Sequence, residues 1–154
     1  NRTCLTVTTN LSNASDNENA IAYRWQVRVY YEDTDAGGVV YHSNYLNYME
    51  RARTECLRST GFSQAMLDKE LGVVFVVASV NINFLAPARF DDMLDVNSRI
   101  LQVGGSKFEF EQSIINSAGN LLCTANINIV CVDSSTFRPK RIPEQIKAKL
   151  SYDN

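Results

Sequence analysis

The sequence predicts an α+β domain: one long helix lying across a curved antiparallel sheet of about five strands. Three observations predict it. One long amphipathic segment stands near the front of the chain, alternating apolar segments follow it, and the stretches between them are short and rich in turn residues. A sheet with one apolar face needs a cover, and the helix supplies it. At 154 residues the chain is one domain and too short for two ordinary ones.

Residues 1–22 are dominated by Asn, Ser, Thr and Asp with little periodicity, which predicts a flexible leader before a folded domain over 23–154. The leader lacks the basic start and apolar core of a signal peptide, so export is not expected. Trp25 to Tyr31 alternates through Trp25, Val27, Val29 and Tyr31 and reads as a strand. A loop from Glu32 to Tyr41 follows, with Gly37-Gly38 at its centre. Ser43 or Asn44 then serves as cap for a helix reaching about Thr60. On it, Tyr45, Met49, Ala52 and Cys56 fall at i, i+4, i+7 and i+11, one buried face. Gly61 ends it, and a shorter helix over Ser63 to Leu71 follows.

Four strands complete the sheet: Val73 to Phe84, Leu94 to Val103, Lys107 to Ile115 and Leu121 to Val132. Gly104-Gly105 turns the second into the third, and Ser117 to Asn120 turns the third into the fourth. In the fourth, Cys123, Ala125, Ile127, Ile129 and Cys131 share a face. Pro143 suits the first turn of a C-terminal helix with Ile146 and Leu150 inward.

Hydrophobic residues make up 45% and charged residues 21%, which excludes a disordered, collagen-like or coiled-coil chain. No run approaches the ~20 apolar residues of a membrane span. Fifteen basic against seventeen acidic residues leave a net charge of -2, without the basic footprint of a nucleic-acid binder. The four cysteines show no C-x-x-C spacing and only one histidine accompanies them, so a zinc site of the usual type is not expected. Cys56, Cys123 and Cys131 lie in apolar patterns and read as buried free thiols of a reducing compartment.

Tyr31, Asp35 and His42 stand between the first strand and the long helix. A helix N-terminus offers unpaired N–H groups and partial positive charge, fit to hold a carboxylate or a developing oxyanion. Asp35 reaches the same place if Gly37-Gly38 permits a tight reversal. An acid beside an oxyanion site is the minimum equipment for acyl-group hydrolysis. On spacing alone, Asp-x-x-Gly before a helix is more often ordinary turn chemistry than a catalytic acid. There is no G-x-S-x-G elbow, G-x-G-x-x-G or phosphate-binding loop.

Residues 27–55, VRVYYEDTDAGGVVYHSNYLNYMERARTE, resemble the signature of hotdog-fold acyl-coenzyme A thioesterases, within the 4-hydroxybenzoyl-CoA thioesterase family and nearest its Tol-Pal-associated bacterial branch. The segments from Phe75 to Val77, Ala86 to Leu94, Ile129 to Asp133, Arg138 to Lys140 and Ile142-Pro143 extend the likeness over roughly 25–150. The resemblance implies hydrolysis of an acyl-CoA thioester, with Asp35 as catalytic carboxylate and Tyr31 and His42 as its companions. It also implies that the His42 N–H binds the thioester carbonyl. Ser43 stands where the family commonly has Ala, and residues 1–22 have no counterpart.

Tyr45, Tyr48 and Met49, with the Val73 to Phe84 strand, are expected to line the acyl pocket. Glu50 is a second acidic candidate, read first as an i, i+3 partner for Arg53. Lys107, Arg138, Lys140 and Arg141 are the cations available for the nucleotide, with Lys107 and Arg138 foremost. The family further implies no metal or organic cofactor, coenzyme A entering as part of the substrate. It implies a homo-oligomer, dimer or tetramer, built edge to edge with sites at the protomer boundary. A cytoplasmic bacterial protein, peripheral at most to the inner membrane, fits these features. A hotdog dehydratase or hydratase, and a non-catalytic module binding acyl carrier protein, are the competing readings.

Overall fold

A computed structural model describes residues 3–5 and 22–151. The chain enters with a short strand β1 (Thr3–Leu5), and β2 (Ala22–Arg28) pairs with it. Helix α1 (His42–Ser59) follows, then α2 (Gln64–Met66), which continues as a wider turn over Leu67–Leu71. Next come β3 (Val73–Phe84), β4 (Met93–Leu101), β5 (Lys107–Asn116) and β6 (Leu121–Asp133), and α3 (Glu144–Ser151) closes the described chain. The sheet is antiparallel in the order β1-β2-β4-β5-β6-β3. It has the expected strands plus one. The sixth is β1, from the segment expected to be a leader; the remainder of that expectation lies outside the described residues.

Two local expectations need correcting, and both concern polar groups that take over backbone hydrogen bonding. β2 stops at Arg28, short of Tyr31, because Asp33 folds the next residues into a tight turn. Its carboxylate accepts the Tyr30 N–H at 2.9 Å, and its own N–H donates to the Tyr30 carbonyl at 3.0 Å. Neither Ser43 nor Asn44 caps α1, since both lie inside its first turn; Tyr41 holds the cap position without a side-chain bond. Asn44 ties the turn to the helix instead, its Nδ2 donating to the Asp33 carbonyl at 2.8 Å.

The helix face read from the sequence is buried against the sheet: Tyr45, Met49, Ala52 and Cys56, joined by Tyr48 and Leu57. Across from it lie Cys123, Ala125, Ile127, Ile129 and Cys131 of β6, and Ile146 and Leu150 of α3 close one end. Each such aliphatic side chain contributes about 1.5–3 kcal/mol by leaving water. Two polar side chains share this interior, Ser98 and Gln112. Gln112 donates its amide to the Met49 carbonyl at 3.0 Å and to Ser98 Oγ at 2.8 Å, which repays its burial and fixes its orientation.

Strand β3 is paired only with β6, so its other side is a sheet edge. Val77, Val80 and Phe84 along it are 46%, 42% and 49% exposed, an apolar character unusual for an edge facing water.

Cys56, Cys123 and Cys131 are buried and in no disulfide, and burial pushes the Cys123 thiol up to about 11 and the Cys131 thiol upward as well. Because all three are shielded by burial, they are expected to alkylate at least about a hundredfold more slowly in native protein than in urea. Peptide mapping after timed iodoacetamide treatment reads each site separately.

Candidate active site

Asp35 opens the hairpin that leads into α1. Its N–H donates to the Val39 carbonyl at 2.9 Å, its carbonyl accepts the Gly38 N–H at 3.0 Å, and its Oδ1 accepts the Gly37 N–H at 2.8 Å. Gly38 has φ 77°, a left-handed geometry that glycine adopts at little cost. A Cβ on Gly37 would come within 3.2 Å of Asp35 Oδ1, so that glycine keeps space beside the carboxylate. The turn chemistry and the candidate acid are therefore the same residue: one oxygen shapes the loop and the other remains open on an exposed side chain.

The hairpin is pinned on both sides. Thr34 bridges Val40, Val39 bridges Arg89, and the Val40 N–H donates to the Ala88 carbonyl at 2.8 Å. Tyr41 then returns its N–H to the Asp33 carbonyl at 3.0 Å, and the helix starts at His42. Helical geometry gives the His42 and Ser43 N–H groups no acceptor within the helix, and they point where partial positive charge collects. The exposed His42 ring sits 4.3 Å from the Tyr41 ring and 6.4 Å from that of Phe84. Tyr45, one turn on, accepts the Ala88 N–H at 2.9 Å. Burial raises its phenol pKa, the Ala88 bond lowers it, and charges on Cys123, Asp35 and Asp92 add smaller upward contributions.

The other expected site residues are distributed differently. Tyr31 is 78% exposed and stacks on Phe90 at 4.0 Å, facing a shallow depression shared with Arg28 and Asp91. Tyr45, Tyr48 and Met49 belong to the helix–sheet interior. The Tyr48 hydroxyl is buried without a hydrogen-bond partner of good geometry; burial, and after it the nearby Asp33 carboxylate, holds its proton firmly. Lys107 and Arg138 are exposed at the far end of the sheet, where Lys107 pairs with Val130 and the Arg138 carbonyl accepts the Asp133 N–H at 2.9 Å. Along β3 these positions fall between Val73, which pairs with Asp133, and Val76, which pairs with Val130, whereas His42 lies beside Phe84 at the other end, about 26–37 Å farther along the strand.

A cavity of about 230 Å³ lies between α1 and the sheet, past the turn that holds Met49. Its walls include Leu57, Phe75, Val77, Ile100, Phe108 and Phe110, with Glu50, Arg53 and Gln64 among its polar groups. The expected β3 lining is present in Phe75 and Val77. Glu50 and Arg53 do not form the close ion pair first read for them: Arg53 Nη1 donates to Gln112 Oε1 at 3.0 Å, and the Glu50 carboxylate acts on it only as a more distant charge. Sequence reasoning took Arg53 only as a partner for Glu50 and passed over Gln112. The available signal was a glutamine in an inward register, after Phe108 and Phe110 and before Ile114. Among the described residues, no group of three or more His, Cys, Asp or Glu is placed to hold a metal ion. No helix among them is long and apolar enough to cross a membrane.

Residues 29–150 match the model of the thioesterase-like superfamily. The chain belongs to that superfamily. This thioesterase is similar to the acyl-CoA thioester hydrolase YbgC of Escherichia coli O6:H1, 47% identical over 132 residues that cover 86% of this chain and 98% of the relative. It is likewise similar to the acyl-CoA thioesterase YbgC of Haemophilus influenzae, 42% identical over 130 residues, 84% of this chain and 95% of that one. Among solved structures, a probable thioesterase from Bartonella henselae superposes with a TM-score of 0.75 at 38% identity, over 79% of this thioesterase and 99% of that chain. The hotdog arrangement read from the sequence is the fold of this thioesterase.

Proposed function

We propose that this thioesterase hydrolyses acyl-coenzyme A, with Asp35 as the reacting acid and the His42 N–H as the oxyanion donor. One observation carries the reading: the open Asp35 carboxylate stands on a pinned hairpin that runs straight into an uncapped helix start. The thioester carbonyl docks at that helix tip. Asp35 takes a proton from water as the water oxygen attacks the carbonyl carbon, or attacks the carbon itself to form a mixed anhydride that water then opens. The oxygen gains negative charge beside the His42 N–H. As the C–S bond breaks, the thiolate leaves; a thiol of pKa about 8.5 needs little help from a general acid. The His42 ring orients the acid or the water.

The same reading makes the active form a dimer. Within one chain the acid lies at one end of β3, and the cavity and the cations Lys107 and Arg138 lie toward the other. Pairing β3 antiparallel with β3 of a second copy, about its midpoint, sets the Phe84 end of one copy beside the Phe75 end of its neighbour. Asp35 and His42 of one copy then meet the cavity and cations of the other, and the exposed Val77, Val80 and Phe84 are covered. Tetramer formation from such dimers, and a cytoplasmic location where buried thiols stay reduced, complete the proposal.

Thiol release followed with a colour reagent, over CoA esters of graded acyl length, tests it. Release from at least one class is expected, with a rate lost in Asp35→Asn. An inactive protein that still binds acyl carrier protein would make the chain a binding module, and hydration of an enoyl ester would make it a hydratase.

A further inference from the structure

Arg53 has an arrangement that packing alone does not call for. Its guanidinium lines an otherwise aromatic-rich cavity and accounts for one hydrogen bond, to Gln112 Oε1 at 3.0 Å. Among the described residues no carboxylate lies within 4.0 Å of it, Glu50 on the exposed side of the helix included. Gln112 is buried, and both protons of its amide are committed, to the Met49 carbonyl and to Ser98 Oγ. The amide cannot turn over without losing both bonds, so its oxygen is held facing Arg53. A five-donor cation is thus braced from behind by a locked glutamine while, among the described residues, its remaining N–H groups make no further hydrogen bond.

We propose that this cavity is an acyl-end subsite for compact acyl groups bearing an acceptor oxygen at the end remote from the thioester, and that Arg53 is the specificity-determining residue which reads that oxygen. The size limit follows from the volume. A cavity of roughly 150 Å³ takes a benzene ring, so about 230 Å³ takes about six to nine heavy atoms and not a long fatty chain. The aromatic wall, with Phe75 edge-on to Phe108 at 5.1 Å and Phe108 edge-on to Phe110 at 5.6 Å, suits the chain's apolar body. The guanidinium suits its tip, since an oxygen accepting from a partly desolvated cation is held far better than a methyl group is. The subsite rests on the acyl-CoA reading above, and on the two-copy arrangement that brings an acid to its mouth.

Adipoyl-CoA and hexanoyl-CoA share a six-carbon backbone and differ at the tip, a carboxylate against a methyl. Their dissociation constants, measured by calorimetry on Asp35→Asn to prevent turnover, are expected to favour adipoyl by at least about tenfold. In Asp35→Asn/Arg53→Met the ratio should fall to near one. In Asp35→Asn/Arg53→Lys, which keeps a cation able to reach Gln112, it should recover in part. The melting temperature of each variant is read alongside, since Met leaves Gln112 Oε1 without its donor. A ratio near one before Arg53 is touched, or one that survives Arg53→Met, overturns the subsite. Because binding is read without hydrolysis, these outcomes stand whether or not wild-type protein releases thiol, and loss of thiol release alone counts against the catalytic reading instead.

Discussion

Asp35→Asn is expected to lower kcat for thiol release by about a thousandfold while the protein keeps its fold. The argument for retention is local. Asp35 uses its backbone N–H, its carbonyl and Oδ1 to close the hairpin, and an asparagine offers the same three groups, with its amide oxygen accepting the Gly37 N–H. The side chain is exposed, so no buried charge is gained or lost, and the melting temperature should move by no more than about 2 °C. The rate has no such protection. Asparagine neither takes a proton from water nor attacks a carbonyl carbon, and a positioned general base alone contributes about 10²–10⁴. Stopped-flow thiol release together with a melting curve separates the two effects. Full rate would remove Asp35 from the scheme; joint loss of rate and fold would make it a turn residue.

The turn that Asp35 closes explains why a catalytic role for it was only half legible in the sequence. Asp-x-x-Gly before a helix fits a turn and fits a catalytic acid, and the structure has the turn without deciding against the acid. Features set by neighbours in the chain were readable: the buried α1 face from Tyr45 to Cys56, the inward register of β6, and the inward Ile146 and Leu150. Features set by contacts between distant segments were not. The end of β2 depends on one Asp33 carboxylate, and the helix start depends on Asn44 reaching back to the same residue, which displaced the expected cap. The cavity lies one turn beyond Tyr45, Tyr48 and Met49 for a similar reason. Tyr45, Tyr48 and Met49 are apolar and near the helix start, but the sheet claims them, and the free space begins only where Arg53 is drawn to Gln112, 59 positions away. Periodicity reports which face of an element is buried; it carries no information about where two buried faces fail to meet.

The distance between Asp35 and the cavity leads to the sharpest expectation, a restoration of activity by mixing two defective proteins. Asp35→Asn removes the acid. Phe75→Trp, a larger ring on the cavity wall, fills the acyl space from the other end of β3. Each variant alone should lose at least about a hundredfold in kcat/KM, the second because overfilling a packed aromatic cluster both blocks the space and strains it. If acid and cavity met within one chain, every protomer in a mixture would carry one defect, and mixing would change nothing. If they meet across paired β3 edges, a dimer of one copy of each variant holds one site with both parts intact and one with neither. Random exchange makes half the dimers mixed, so activity should rise to about one quarter of the wild-type value. Lysine at Val80, which places charge along the edge and outside the cavity, should abolish that rescue and yield monomers by sedimentation. An active monomer, or a mixture no faster than its components, would return the whole site to a single chain, and β3 would then need another reason to leave three apolar side chains in water.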